Sequence, residues 1–291
     1  MRLTIRHETR YTYARPVGFG VHRLLLRPRD SHAIRLVEAT LTFSPQGETR
    51  WIYDALGNCV CLLTPAGEAS VLSIVSDLVI ERFPASLPPS GVDDPHTALP
   101  MVYDRSDRAV LEPFLAPATD DPEGRLLKWV RGQVARPDQP ALDVLLALTW
   151  YIHEQFAYGP RPEAGTQDPT VTLARGAGTC RDFAWLMVEA LRRLGYAARF
   201  VTGYLYSTAR AAVRGAAATH AWCEVFLPDL GWTEFDPTNG IAESADLIPV
   251  AVARTPAEAS PIRGAILGDP GVAELSIHVD VRPAATISEA A

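Results

Sequence analysis

Cys180 stands in GAGTCRDFAWLMVEALRRL (176–194), where a glycine-punctuated approach leads into a run with helical periodicity. Apolar residues recur at Phe183, Leu186, Met187, Ala190, Leu191 and Leu194, the spacing of a helix with one buried face. Charged Arg181, Asp182, Glu189, Arg192 and Arg193 fall largely on the other face. A thiol at the start of such a helix meets unpaired backbone N–H groups and the positive end of the helix dipole, both of which favour a thiolate. A thiolate nucleophile for acyl transfer needs a base and a group that orients the base. His220 and Asp236 follow in that order, in two strand-like segments, 219–227 and 231–236, joined by Pro228-Asp229-Leu230. If residue 226 pairs with 232, Asp236 opposes Trp222, and His220 lies one diagonal step away on the same face, within side-chain reach. If 227 pairs with 232, Asp236 turns to the opposite face, so the register decides the idea. In the favourable register Cys223 points away from His220, and Trp222 and Trp232 are expected to line the cleft. Small neighbours Thr219 and Ala221 are expected to leave the imidazole accessible. Tyr158, whose loop leads into the cysteine segment, is a candidate oxyanion donor beside the Cys180 N–H. Singly, each residue has an ordinary reading: a core cysteine, a strand histidine held by a carboxylate, an Asp-Pro turn. Together, Cys180, His220 and Asp236 point to nucleophilic chemistry at a carbonyl.

The elements that would position these residues are readable from the rest of the chain. Residues 2–13 alternate polar and apolar as a half-buried strand, with His7 paired to a neighbour and Pro16 ending it. Further strands follow at about 21–27, 34–43, 49–53, 58–63 and 70–82, separated by Pro- and Gly-containing turns. This predicts an antiparallel β-sandwich or barrel over 1–84, with Cys59 and Cys61 in its interior. Proline-rich 85–100, which contains His96, reads as a linker. The second domain, 101–291, opens with helices near 107–116, 123–134 and 140–155. A Gly/Pro loop (159–169), the Cys180 helix, a strand at 197–206 with Gly203 as a close-approach point, a polar loop at 207–218 and the hairpin follow. Residues 241–271 read as loop-rich, and 273–283 as a last strand. The fold class expected is α+β.

Composition narrows the function. The 291 residues are 47% hydrophobic and 21% charged, enough for two ordinary globular domains. A net charge of −7, without basic blocks, argues against nucleic acid and anionic membranes as partners. No signal-peptide core or membrane-spanning run is visible, so cytoplasmic residence is expected. Four cysteines without a C-x-x-C spacing fit neither a disulfide framework nor a zinc site. Asp93-Asp94 and Asp120-Asp121 lack the pattern of a calcium loop, so neither metal nor cofactor is expected. A site shared by Cys180, Cys223 and His220 is disfavoured because 180 and 223 should face different layers.

The segments GTCRDFAWLMVEALRRLGYAARFVTGYLY, THAWCEVFLPDLGWTEFDPTNG and WYIHEQFAYGP resemble the transglutaminase-like superfamily of bacteria. LTIRHETRYTYARPV and LLLRPR resemble the β-rich N-terminal domain that accompanies it. The resemblance implies a papain-like core with its nucleophile at a helix N-terminus packed on an antiparallel sheet. It also implies a Cys–His–Asp triad, placed on Cys180, His220 and Asp236. The implied reaction is acyl transfer on an amide or peptide bond through a Cys180 thioester, with a peptide or protein substrate. Hydrolysis by a cysteine peptidase or amidase is the expected outcome. Transamidation of protein glutamine by the same triad is the alternative, and a non-catalytic peptide-binding scaffold is the rival from another class. The resemblance breaks at 247–264, LIPVAVARTPAEASPIRG, where the family's His-Ile strand and Gly-Arg-Asp-Tyr segment are missing.

Overall fold

The computed structural model describes residues 1–83, 87, 99–134, 136–161, 163, 165–206, 214 and 219–284. The expected linker, except Leu87, Leu99 and Pro100, lies outside these residues, as do His96 and the 207–218 loop apart from Arg214. The chain opens with six strands: β1 (Arg2–Phe19), β2 (His22–Leu24), β3 (Ile34–Ser44), β4 (Gly47–Tyr53), β5 (Cys59–Pro65) and β6 (Glu68–Arg82). Helices α1 (Arg105–Leu115), α2 (Arg125–Arg131) and α3 (Ala141–Gln155) follow. Next come β7 (Ala157–Tyr158), α4 (Pro169–Arg175), β8 (Ala177–Gly178) and α5 (Cys180–Arg193). The remainder is β9 (Ala198–Leu205), β10 (His220–Leu227), β11 (Gly231–Asp236), β12 (Ile241–Ala242), β13 (Leu247–Ala253), β14 (Ile262–Arg263), β15 (Ile266–Leu267) and β16 (Ala273–Pro283).

Two antiparallel sheets form the first unit, and they share a core built from Tyr13, Val17, Leu24, Leu63, Leu72 and Ile74. One has strand order β15-β1-β6-β3, with β16 also on β1; the other runs β14-β2-β5-β4. Pro16 does not end β1. The register against β6 shifts between Thr12 and Val17, so the proline sits in an irregularity where no ladder N–H is required of it. The domain boundary also differs from expectation: β14, β15 and β16, all within 101–291, return to the sheets of the first unit. β16 pairs with β1 from Leu3↔Pro283 to Tyr13↔Ala273.

The second unit is a sheet of order β12-β11-β10-β9-β13 covered on one face by helices. α5 is its centrepiece, with twelve of its fourteen residues buried. Of the expected charged outer face, Asp182, Glu189 and Arg192 are buried, while Arg181 stays exposed. Glu189 is fully buried, accepting from the Ala118 and Thr119 N–H groups and the Thr119 hydroxyl, and pairing with Arg192 at 3.0 Å and Arg193 at 2.9 Å. β13, an apolar strand inside the stretch expected to be loop, runs antiparallel to β9. The opposite face of this sheet meets the first unit: Tyr204, Ile248 and Val250 pack with Leu3, Ile5, Ile80 and Val281. His7 bonds the Tyr204 hydroxyl and Thr9, each at 3.0 Å, and burial lowers its pKa to about 4.

Buried Arg82, the last residue of β6, ties the units together. It donates to the carbonyls of Leu247, Ser244 and Ala33 and lies 3.2 Å from a Glu234 carboxylate oxygen on β11. Removing one partner from a buried pair leaves the other's polar group unanswered. Arg82→Ala is expected to lower the unfolding free energy by about 3–5 kcal/mol, measured by urea denaturation.

Candidate active site

The hairpin adopts the register that places the three residues on one another. Phe226 pairs with Trp232 and Cys223 with Phe235, which brings Asp236 beside the start of β10. His220 Nε2 lies 2.8 Å from Asp236 Oδ2, and both side chains are fully buried. Asp236 is in turn fixed by the Thr238 N–H at 2.9 Å and by Asn239 Nδ2 at 2.8 Å. Asn239 also approaches His220 Nε2, at 3.4 Å. With Nε2 committed to the carboxylate, the nitrogen left for the thiol is Nδ1, which is buried and has no hydrogen-bond partner. The Cys180 thiol is close enough to strengthen the base, yet it forms no aligned hydrogen bond with Nδ1. Burial disfavours the imidazolium, but the charge and hydrogen bond of Asp236, with Cys180 adding to them, outweigh it and raise the His220 pKa to about 10. Burial likewise opposes ionisation of Asp236, and His220, Asn239 and the Thr238 N–H overcome it, so its pKa is lowered.

Cys180 is the first residue of α5, 7% exposed, and its entry is rigid. Asp182, expected to face outward, is fully buried and reaches back to the Thr179 N–H at 2.8 Å and the Thr179 hydroxyl at 2.9 Å. Arg161 clamps the same carboxylate through Nε at 2.7 Å and a terminal nitrogen at 2.8 Å, and the Gln167 N–H adds a third contact. Asp182 therefore fixes the nucleophile's helix turn together with Arg161 and Gln167. Gly178 has a local reason, since a Cβ there would fall 2.8 Å from Asp182 Cβ. Gly176 is the left-handed C-cap of α4, at φ 59°. Neither glycine is accounted for by a substrate's approach. Gly203, opposite His220 in the ladder, is a close-approach point: a Cβ would meet the Ile248 carbonyl oxygen at 2.1 Å.

Tyr158 is held beside the cysteine segment by a short parallel ladder in which it pairs with Gly178. Burial, then the proximity of Cys180 and Asp236, raise its pKa to about 12, so the phenol keeps its proton to donate. Neither Trp222 nor Trp232 lines the cavity beside His220, and Trp232 borders a separate one of about 690 Å³ with Arg199 and Glu224. Trp222 is fully buried; its ring stacks on His220 at 6.0 Å, and its Nε1–H donates to Glu234 at 3.1 Å. Trp232 is at the far end of β11, against Phe114 and Phe226, with Arg199 4.0 Å over its ring. Nor is the imidazole open: His220 is 1% exposed and is reached through a cavity of about 320 Å³ beside it. Cys180 and Cys223 share the helix-side core, so the expectation that they face different layers fails. Among the described residues no group of three or more His, Cys, Asp or Glu side chains is placed to hold a metal.

The family models and a full-length relative fit this arrangement. Residues 128–237 match the transglutaminase-like superfamily, and residues 3–81 match the bacterial transglutaminase-like N-terminal region. An uncharacterized Mycobacterium tuberculosis protein is 30% identical over 295 residues, covering 97% of this chain and 93% of its own. The chain belongs to the transglutaminase-like superfamily. The fold agrees: a Cytophaga hutchinsonii structure, provisionally assigned as a cysteine protease, superposes with a TM-score of 0.73 at 20% identity, covering 97% of this chain and 90% of that one. A Pseudomonas aeruginosa protein-glutamine gamma-glutamyltransferase is 33% identical over 110 residues, 36% of this chain and 16% of its own length. Thiol-dependent acyl transfer is the general chemistry that family membership supports. Sequence reasoning gave no role to Asn239, Asp182 or Arg161; Asn239 was visible as the last residue of the Phe-Asp-Pro-Thr-Asn element.

The buried pair carries a pH signature. With its folded pKa above 6.5, His220 contributes stability that is complete below pH 6.5 and is lost as pH rises toward 10. With its folded pKa below 3.8, Asp236 contributes stability above pH 3.8 that is lost in more acidic solution. The stability gap between wild type and Asp236→Asn should be widest between these limits. Above pH 6.5 it should narrow by no more than ~1.4 kcal/mol per pH unit, as read from urea unfolding across a pH series.

Proposed function

We propose that this protein hydrolyses an amide or peptide bond through a thioester on Cys180. The observation that carries the reading is the buried His220 ring, with Nε2 held by Asp236 and Nδ1 left unpartnered beside the thiol. His220 takes the thiol proton at Nδ1, and Asp236 stabilises the imidazolium from the other nitrogen. The thiolate attacks the substrate carbonyl. The developing oxyanion is met by the Cys180 N–H, which has no helical acceptor in the first turn, and by the Tyr158 hydroxyl. His220 then protonates the departing amine, and water, activated by the same imidazole, cleaves the thioester.

Hydrolysis is preferred over amine transfer because of the cavity beside His220. Among the described residues the ionisable side chains lining it are Arg181 and His220, with no carboxylate there to hold a protonated amine acceptor. Transamidation remains the second reading, supported by the partial match to the Pseudomonas gamma-glutamyltransferase.

Alkylation tests the site. In mildly acidic solution, iodoacetamide should modify Cys180 at least about tenfold faster than Cys59, Cys61 or Cys223, as quantified by peptide mass spectrometry. Burial pushes all three other thiols up, Cys61 to about 11. His220→Ala should abolish the preference. Equal, slow labelling of the four cysteines would contradict the reading.

A further inference from the structure

The cavity next to His220 has an unusual charge for this protein. The chain carries 34 acidic against 27 basic Lys and Arg residues. Yet among the described residues the cavity wall holds no Asp or Glu, while Arg181 lines it directly after the nucleophile in sequence. Arg181 is exposed and makes no hydrogen bond or ion pair among the described residues. It differs in this from the basic residues around it: Arg161 is bound to Asp182, Arg175 to Glu163 and Arg192 to Glu189. The other ionisable group on the wall is His220, whose Nδ1 has no hydrogen-bond partner. Thr166, Thr219 and Thr255 add hydroxyls to the lining, and Trp185 and Phe200 add an apolar floor. The volume, about 320 Å³, is at the lower end of the range for small-ligand pockets. A planar guanidinium is suited to bidentate recognition of a carboxylate.

From this lining we infer that the cavity is a carboxylate-binding subsite, with Arg181 as the specificity-determining residue for an acyl substrate bearing a carboxylate close to the scissile bond. The inference rests on the proposed reading of Cys180 and His220 as the reacting pair. The carboxylate comes from one of two sources, the free C-terminus of a peptide or an acidic side chain, and both present the same fork to Arg181.

Calorimetric binding to Cys180→Ser tests the subsite without depending on thiol reactivity. Three peptides serve as probes: acetyl-alanyl-alanine with a free carboxylate, acetyl-alanyl-aspartate amide, and acetyl-alanyl-alanine amide. At least one carboxylate peptide should bind tenfold or more tightly than the uncharged amide, and which one does so identifies the source. Adding Arg181→Gln should remove that preference, and Arg181→Lys should restore part of it. In the protein with Cys180 intact, the ratio of iodoacetate to iodoacetamide alkylation rates at Cys180 should fall several-fold in Arg181→Gln, with circular dichroism showing the fold retained. Equal affinity for all three peptides, binding of none, or a preference that survives Arg181→Gln would overturn the inference. Failure of Cys180 alkylation alone would instead count against the proposed reaction, because the calorimetric result is independent of it.

Discussion

α5 is enclosed by the sheet on one side and by other helices and loops on the rest, and this enclosure sets the terms for everything near it. A charge on the buried part of such a helix cannot go unanswered, because each unpaired buried ion would cost several kcal/mol. Asp182 and Glu189 are therefore each met by an arginine and by backbone N–H groups. Satisfying these carboxylates is what organises the surroundings: Glu189 gathers Ala118 and Thr119, and Asp182 gathers Arg161 and Gln167. The nucleophile thus inherits its position from the demands of a buried helix, and the wall of the neighbouring cavity is set by the same contacts.

The base is positioned by a different device, the register of one hairpin. A slip of one residue between β10 and β11 would turn Asp236 away from His220. Behind the imidazole the support continues outward in sequence: Trp222 stacks on His220, Glu234 accepts from Trp222, and Arg82 meets Glu234. This chain of contacts crosses the sheet and ends in β6. The N-terminal unit is therefore part of the scaffold that holds the base in place, joined to it through side chains packed at low exposure.

Local patterns were legible in the sequence. The extent of α5, the existence of the hairpin and the alternation along β1 all follow from side-chain periodicity, whereas the sequence left two registers open for the hairpin. The relation of His220 to Asp236 could be worked out for each register because both strands of the hairpin are adjacent in sequence. Misreadings arose where the answer depends on distant chain. Periodicity says that Asp182 and Glu189 lie opposite the apolar stripe, but not that other loops cover them. Trp232 shares the hairpin with Asp236, yet four strand residues, about 13 Å, separate their positions, and that distance removes it from the site. Pro249 within LIPVAVA disguised β13, which the structure accommodates with a register shift between Pro249 and Ala251 opposite β9.

The return of β16 to β1 has a consequence for how the molecule is made. Leu3 pairs with Pro283, so β1 gains the strand on its second edge only across the long stretch of chain that carries every element from β2 to β15. β6 can occupy one edge of β1 early, but the other edge keeps its backbone groups unpaired until β16 docks. Contacts of such long sequence separation are slow to form, because loop closure is paid before pairing repays it. The first unit is therefore slow to complete, and its half-built sheet is the species most exposed to misassociation.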